Sequence, residues 1–479
     1  MNRLHLARLD LAKPAMGLVG AVLLAGCQTF SPDGGMGVTS SFAKQQLGAD
    51  VIAIRGADDA SLARARVQYL IKQTMTANTA VQIALLNNRG LQAAYNELGI
   101  AEATMVTESL PPNPKLSLSR LAGADLEIER RIVVDILELA TLPARAEMAQ
   151  DRFRQAQLRA AGETARVAAQ ARRAFYGAVA SQQLATQLAG AQSAAANAAK
   201  LAARLGQSGA LNKLDQAREQ VFYAEMTAQH ATALQQVNAE REKLVRALGL
   251  WGADLAFKLP TTLPLLPTRP RSTQTVERDA LAHRIDVQIA RIEIDTLAKS
   301  YGLSRATRFI NVLDLGATDK TTRPAEGASD RARGIEVEFQ VPLFDFGESR
   351  LRQAEQTYMA AVNRLAEKAV NARSQARQAY RDYRATYDIA AHYQREIVPL
   401  RKIIAEEMTL RYGAMQIDVF SLLTEQRQRI SASVAALEAQ RKFWLAAADL
   451  SDAMIGGGGA DGDQASTIAM SAGDSAPAH

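Results

Sequence analysis

Residues able to do chemistry are few and poorly gathered. The chain has one cysteine, Cys27, and five histidines (His5, His230, His283, His392 and His479) that stand far apart without partner spacing. His283 reads as an ordinary solvent-facing residue. No Gly-rich loop precedes Lys-Ser or Lys-Thr, so there is no phosphate cradle. The twelve methionines are scattered, which argues against a soft-metal relay. The reading is therefore a non-enzyme without cofactor or metal. The carboxylates that do form a pattern are Glu127, Glu129, Glu336 and Glu338, in Leu126-Glu127-Ile128-Glu129 and Ile335-Glu336-Val337-Glu338. Period two sends the members of each set to one side of a strand and the apolar residues to the other. If the apolar side faces lipid, the four acids face a channel. They are then either plain lumen polarity or a ring that selects by charge. Arg130 falls on the apolar parity, which implies a register change or a position near a membrane edge.

Cys27 has a specific setting. Arg3, Arg8 and Lys13 form a basic start, Ala15 to Leu24 an apolar run, and Leu24-Ala25-Gly26-Cys27 follows. The run is too short to span a bilayer and reads as a signal peptide over 1–26. Leu-Ala-Gly-Cys resembles a bacterial lipobox, in which the thiol takes up covalent lipid and the chain is cut before it. Gln28 replaces the Asp usual for inner-membrane retention, which favours the outer membrane. A single cysteine permits no disulfide within the chain.

The formal net charge is +6, from 56 Lys and Arg against 50 Asp and Glu. The leader carries a net +2, leaving +4. The charges are spread along helical stretches, as solvated faces are, and not gathered as a nucleic-acid patch. Hydrophobic residues make up 48 % of the chain but aromatics only 5 %. That Ala-rich balance suits long, closely packed coiled-coil helices better than a compact enzyme.

These elements occur twice. Ala84-Leu85 with Leu91-Gln92-x-Ala94 returns as Ala280-Leu281 with Val287-Gln288-x-Ala290, an offset of about 200 residues that marks a duplicated half. The expected divisions are a lipid-anchored linker over 27–60, a first repeat over 61–255, a Pro-rich linker over 256–273, a second repeat over 274–454 and a disordered tail over 455–479. Each repeat has a helix (81–109, capped by Asn78 or Thr79; then 276–304) followed by a β-hairpin. The hairpins span about 115–137 and about 308–344, the second with strands at 308–315 and 335–341 around a polar loop over 316–334. Leu142-Pro143 ends the first hairpin. A helix over 144–205, roughly 90 Å long at 1.5 Å per residue, follows it. The second long helix runs to about Tyr412. Return helices begin near Asn212 and Asp418, and Leu423, Ile430, Leu437 and Trp444 set a seven-residue seam on the last one.

Four half-apolar strands cannot close on themselves, and an open sheet in lipid leaves backbone groups unpaired. Copies of the chain must pool their strands, and three copies give a twelve-stranded barrel with a lumen. The layout resembles the TolC-type outer-membrane factor family, the exit ducts of tripartite efflux and secretion machines. The resemblance covers about 80 to 452. It rests on Ala84-Leu85-x-x-Asn88 through Leu91 with Leu110-Pro111-x-Asn113-Pro114, and on Ala280-Leu281-x-x-Arg284-x-Asp286-Val287. Val341-Pro342-Leu343-Phe344-Asp345-x-Gly347 and Arg411-Tyr412 with Leu422-Leu423-x-x-Gln426-Arg427 complete it.

The resemblance implies an α+β membrane protein. Its duplicated helix–strand–strand–helix–helix halves would assemble as a homotrimeric outer-membrane β-barrel continued by a periplasmic coiled-coil barrel. The implied partners are outer-membrane lipid, a periplasmic adaptor (membrane fusion) protein and an inner-membrane pump, with no nucleic acid. The pump decides what passes. The family's periplasmic gate maps onto Asp215 and Tyr412, with Asp418 nearby. Asp215 equally suits a helix-start cap. Met415 stands where the family has Gly, Ile417 where it has Arg, and Ser421 and Thr424 where it has an acidic constriction. The rival reading is a periplasmic coiled-coil lipoprotein scaffold without a pore.

Overall fold

The computed structural model describes residues 30–123, 125–272, 275–310, 312–324, 326–340 and 342–456. Cys27, the leader and the tail from 457 lie outside the described residues. The chain divides into two compact units. One comprises Glu97–Gln157, Ile289–Ala366 and the segment ending at Gly35; the other comprises Met36–Asn96, Leu158–Gln288 and the residues from Glu367 on. Each unit draws on both sequence repeats, so compactness and duplication follow different boundaries.

In the first unit, the end of helix α4 (Arg89–Glu108) leads to strands β1 (Lys115–Ala122) and β2 (Asp125–Asp135) and the start of α5 (Ile136–Gln207). The second repeat adds the end of α8 (Ile285–Ala306), β3 (Val312–Pro324), β4 (Asp330–Gln340) and the start of α9 (Glu348–His392). The strands form one antiparallel sheet in the order β1-β2-β3-β4. Ion pairs brace the helices entering it: Arg152 with Glu108 at 2.9 Å, and Lys299 with Asp151 at 2.6 Å.

Two expectations for this unit are corrected. The polar stretch 316–334 is not a loop. Residues through Pro324 continue β3 and Asp330 already begins β4, because the ladder to β2 extends as far as Asp125 opposite Pro324. Nor does Leu142-Pro143 end a strand. Asp135 caps the helix by accepting from the Glu138 N–H at 2.7 Å, and Pro143 is carried inside α5.

The second unit is helical. Its first described elements are α1 (Gly37–Phe42), a π turn over Ala43–Leu47 and α2 (Ala57–Ile71). The segment read as a linker is tied down between them. Gln82 exchanges hydrogen bonds with the Asp50 backbone at 2.8 and 2.9 Å, and Gln92 bonds Ile52 O and Ile54 N, both at 2.9 Å. Helix α3 (Ala77–Asn87) is capped by Thr76, whose side chain accepts from Thr79 N at 3.1 Å, and not by Asn78 or Thr79. The Pro-rich linker is equally bound. Pro264 O accepts from Trp444 Nε1 at 3.0 Å and Gln440 Nε2 at 2.7 Å, and Pro267 O accepts from the Tyr387 hydroxyl at 3.0 Å.

Each single helix expected at the start of a repeat is two, broken at Asn88 and at Arg284. The second break separates α7 (Val276–His283) from α8. These two residues are equivalent in the duplicated Ala-Leu-x-x motif, and they do equivalent work. Return helix α6 (Lys213–Leu248) ends at Gly249, in the left-handed region at φ +67°. Asn87 Nδ2 donates to Gly249 O at 2.6 Å and Asn88 Nδ2 to Ala247 O at 3.3 Å. In the second half, α11 (Val419–Ile455) ends at Gly456, φ +79°, and Arg284 Nη1 donates to Ala453 O at 3.1 Å. Carbonyls left over at a helix end are thus satisfied by the start of the same repeat. A side chain at either glycine is excluded: a Cβ at Gly249 would lie 2.9 Å from Asn87 O, and at Gly456 2.6 Å from Asp286 Oδ1.

Between these ends the helices meet through small residues. Ala185, Leu188 and Ala233 cluster with Val434, and Ala191, Ala195 and Met226 with Ile430. Alanine lets α5, α6 and α11 approach closely, and Ile430 of the expected seam, with Val434 one turn on, fills the gaps from α11. Higher on the seam Phe443 contacts Tyr383 and Tyr387, while Trp444 stacks on Tyr176 with ring centroids 5.1 Å apart.

Arg284 is 4 % exposed and also holds Asp286 at 2.8 Å and Gln375 at 2.9 Å. Arg284→Ala strands a carboxylate and a carbonyl, and should cost about 2–3 kcal/mol. Chemical unfolding of the detergent-solubilised protein measures this; a loss below about 0.5 kcal/mol would show the clasp to be dispensable.

Candidate functional site

The register assigns every strand residue to a face, since directly opposed residues point the same way. On one face lie Leu116, Ile132, Ala317 and Ile335 in one row, then Val134, Leu315 and Val337, then Leu313 and Phe339. Most of these side chains are exposed, Ile335 to 82 %, with Val134 and Leu313 half-buried. Below the strands the exposed apolar surface continues through Phe309, Ile310, Leu343, Phe344 and Phe346. A solvated sheet would not offer so continuous an apolar band.

The opposite face carries all four carboxylates singled out by the sequence, Glu127, Glu129, Glu336 and Glu338. It also carries Asp125, Asp135, Asp314 and Asp330. Eight acids are set against three cations, Lys115, Arg131 and Lys320. Two of the acids are neutralised locally: Glu336 by Arg131 at 2.7 Å and Glu127 by Lys320 at 2.9 Å. The first pair reaches across β3 above Gly316, where the missing side chain leaves room. Arg130 lies on the apolar face with no slip in register, opposite Asp319, its guanidinium 3.9 Å from that carboxylate.

Both outer strands are exposed along their whole length, β1 on one edge and β4 on the other. Among the described residues no further strand lies beside their outward N–H and C=O groups. Among the described residues no helix is long and apolar enough to cross a membrane.

The second candidate region is the pair of helical turns that precede the return helices. At Gln207–Lys213, Asn212 is the helix cap, accepting from Asp215 N at 2.8 Å. Asp215 also accepts from the side-chain amide Nδ2 of Asn212 at 2.8 Å and pairs with Arg218 at 2.9 Å. At the second turn, helix α10 (Val398–Gly413) ends and Asp418 caps α11, accepting from Ser421 N at 2.6 Å. That bond holds the Asp418 carboxyl below the usual aspartate range. Tyr412 is partly exposed on the last turn of α10. Within the chain, neither Asp215 nor Asp418 bonds to Tyr412 among the described residues.

What does link the two turns is a pair of which the sequence marked only Arg427, as a member of the Leu422-Leu423-x-x-Gln426-Arg427 motif, and not its partner Glu219. Glu219 on α6 is nearly enclosed, its side chain 3 % exposed, and takes Arg427 of α11 at 2.5 Å. Arg427 lies over the Phe222 ring at 4.6 Å and also donates to Arg218 O at 3.2 Å. Buried Glu425 takes Arg401 of α10 at 3.1 Å. Charged residues on long helices read as solvated, so only their place on the apolar stripe of each helix marked them. Among the described residues no three His, Cys, Asp or Glu side chains are gathered to hold a metal ion.

Met415, in the second turn, has φ +58°, a conformation that suits glycine. Met415→Gly should therefore stabilise the protein by about 1 kcal/mol, whereas Met415→Ala should not. Comparing the two in thermal unfolding tests this, and equal behaviour would remove the backbone explanation.

No protein-family model matches the chain. It is 25 % identical over 292 residues to the cobalt-zinc-cadmium resistance protein CzcC of Cupriavidus metallidurans, a match covering 58 % of this chain and 66 % of that relative, just under two thirds of its length. Among solved structures, the outer-membrane channel OprN superposes with a TM-score of 0.66 at 18 % identity, over 80 % of this chain and 90 % of that one. The outer membrane protein VceC of Vibrio cholerae gives 0.64 at 15 % identity, over 84 % and 99 %. The duplicated helix–strand–strand–helix–helix fold of these channels is the fold of this chain.

Proposed function

We propose that this chain, folded as a TolC-type outer-membrane factor, is one subunit of an outer-membrane exit duct. One observation carries the reading: a sheet with an uncovered apolar face, an acidic opposite face and two open edges. Such a sheet is unstable alone in either solvent. In water the apolar face is exposed; in lipid the edges are unsatisfied. Pairing β1 of one copy with β4 of the next removes both problems, and three copies give twelve strands, enough for an open lumen. The apolar face then meets lipid, and Glu127, Glu129, Glu336 and Glu338 line the passage.

The helical unit belongs to the periplasm, since its helices are too charged for lipid. Cys27 carries the covalent lipid that tethers the chain. Substrate passes down its gradient after delivery by an inner-membrane pump through a periplasmic adaptor, which docks at the turns 206–215 and 413–421. Opening separates these turns between neighbouring subunits, where Tyr412 and Asp418 are exposed and Asp215 is half-buried under its own cap. The pairs Glu219–Arg427 and Arg401–Glu425, each with a buried carboxylate, keep each subunit's own helices together as the turns move. The excess of acids over cations on the lumen face supports passage of cations over anions. The resistance to cobalt, zinc and cadmium named for CzcC is in keeping with that preference.

Planar-bilayer recording on the purified full chain tests the duct. We expect step conductances with a cation preference, and loss of most of that preference when Glu127, Glu129, Glu336 and Glu338 are all changed to Gln. Absence of conductance, even with Asp215 and Tyr412 replaced by Ala to loosen the turns, would favour a scaffold without a pore. Conductance with unchanged ion preference would reduce the four acids to plain lumen polarity.

A further inference from the structure

The lipid-side face of the sheet does not stay apolar to its end. Above the row Leu116–Ile132–Ala317–Ile335, the next three rows change character toward the hairpin turns. The first holds Arg130 and Arg333 beside Leu118, the second Arg120 and Arg331 beside Ile128, the third Arg323 beside Leu126. Only one acid, Asp319, shares these rows. Its carboxylate takes Arg331 at 2.6 Å, Arg333 at 3.4 Å and Arg130 at 3.9 Å. Arg120 and Arg323 are exposed and lie outside this ion-paired group. The face therefore has five guanidinium groups, one carboxylate and no lysine, while the acidic face carries eight carboxylates. Opposite charges are sorted to opposite sides of one sheet, and successive rows on a face lie only about 7 Å apart.

We infer that this arginine belt binds the phosphate groups of lipid headgroups at the outer edge of the bilayer. The inference rests on the channel reading, which orients the sheet. Long charged helices adjoin the base of the strands, so the hairpin turns are the end that leaves the membrane on the far side. The belt starts one row above the apolar band, the depth at which headgroup phosphates lie. Arginine side chains can lay their apolar stems along the band and lift the charge to that level. A planar guanidinium can bind phosphate oxygens in pairs, which a lysine cannot do. Asp319 offsets one charge of five and fixes the fork of Arg331, leaving a strong excess for an anionic partner. A lumen function for these residues conflicts with their parity.

The test uses the full chain purified in detergent and two probes: bis-phosphorylated lipid A and the same lipid stripped of its phosphates. Bound lipid is counted by native mass spectrometry. We expect the phosphorylated lipid to bind and the stripped lipid to bind at least roughly tenfold more weakly, about the loss expected for one charge-assisted contact. R120Q/R323Q, which spares the Asp319 group, should lower phosphorylated-lipid binding by a similar factor, and R120K/R323K should recover part of it. Excess inorganic phosphate should not displace the lipid; if it does, the belt is a free-phosphate site and the lipid assignment falls. Equal binding of both lipids, or no change in R120Q/R323Q, would overturn the inference, and the two-lipid comparison on unaltered protein needs no variant to fold. Conductance of the same preparations separates the outcomes. A conducting protein indifferent to lipid phosphate loses only the belt, and a protein that stays silent even with Asp215 and Tyr412 replaced by Ala loses the channel reading.

Discussion

The backbone of two edge strands governs the rest. β1 and β4 each present a line of unpaired N–H and C=O groups. Beside an apolar band those groups have no water to bond to, at a cost of several kcal/mol each. Among the described residues no strand pairs with them, and four strands are too few to curl into a cylinder. Duplication of the gene-encoded half explains why the sheet has four strands and why its two edges come from different repeats. In the proposed duct, further copies make up the same shortage.

The helices obey a parallel requirement. A return helix has to end somewhere, and its last carbonyls need donors. Both halves solve this with the same position of the repeated motif, Asn88 in one and Arg284 in the other. The solution costs a break in the helix that carries the donor, and glycine at Gly249 and Gly456 where the chain leaves. Asp452 nearby is pushed above the usual aspartate range by burial, with Arg173 pulling the other way. A carboxylate is tolerated there because guanidinium groups surround it.

The parts of the fold legible in the sequence were those with a period. The alternation of Ile335 to Gln340 located β4, that of Leu126 to Val134 located β2, and both placed their acids on one face. The seven-residue seam of Leu423, Ile430, Leu437 and Trp444 located the contact face of the last helix. What escaped has a physical cause in each case. The outer half of β3, from Thr318 to Pro324, carries no large aliphatic or aromatic side chain on either face, so no alternation marks it. Ile136 fits the strand's parity as well as a helix start, and only Asp135 as a cap decides between them. Asn88 and Arg284 break helices without glycine or proline, because a partner distant in sequence requires it. The Glu219–Arg427 pair reads as two solvated charges until the helices are brought together.

Amide hydrogen exchange in reconstituted vesicles probes the edges themselves. In a closed multi-chain barrel, the outward amides of β1 and β4, around Leu118 and Val337, should be as protected as those of β2 and β3. Exchange at free-peptide rates along either edge, with β2 and β3 protected, would mean the sheet stays open and would contradict the account.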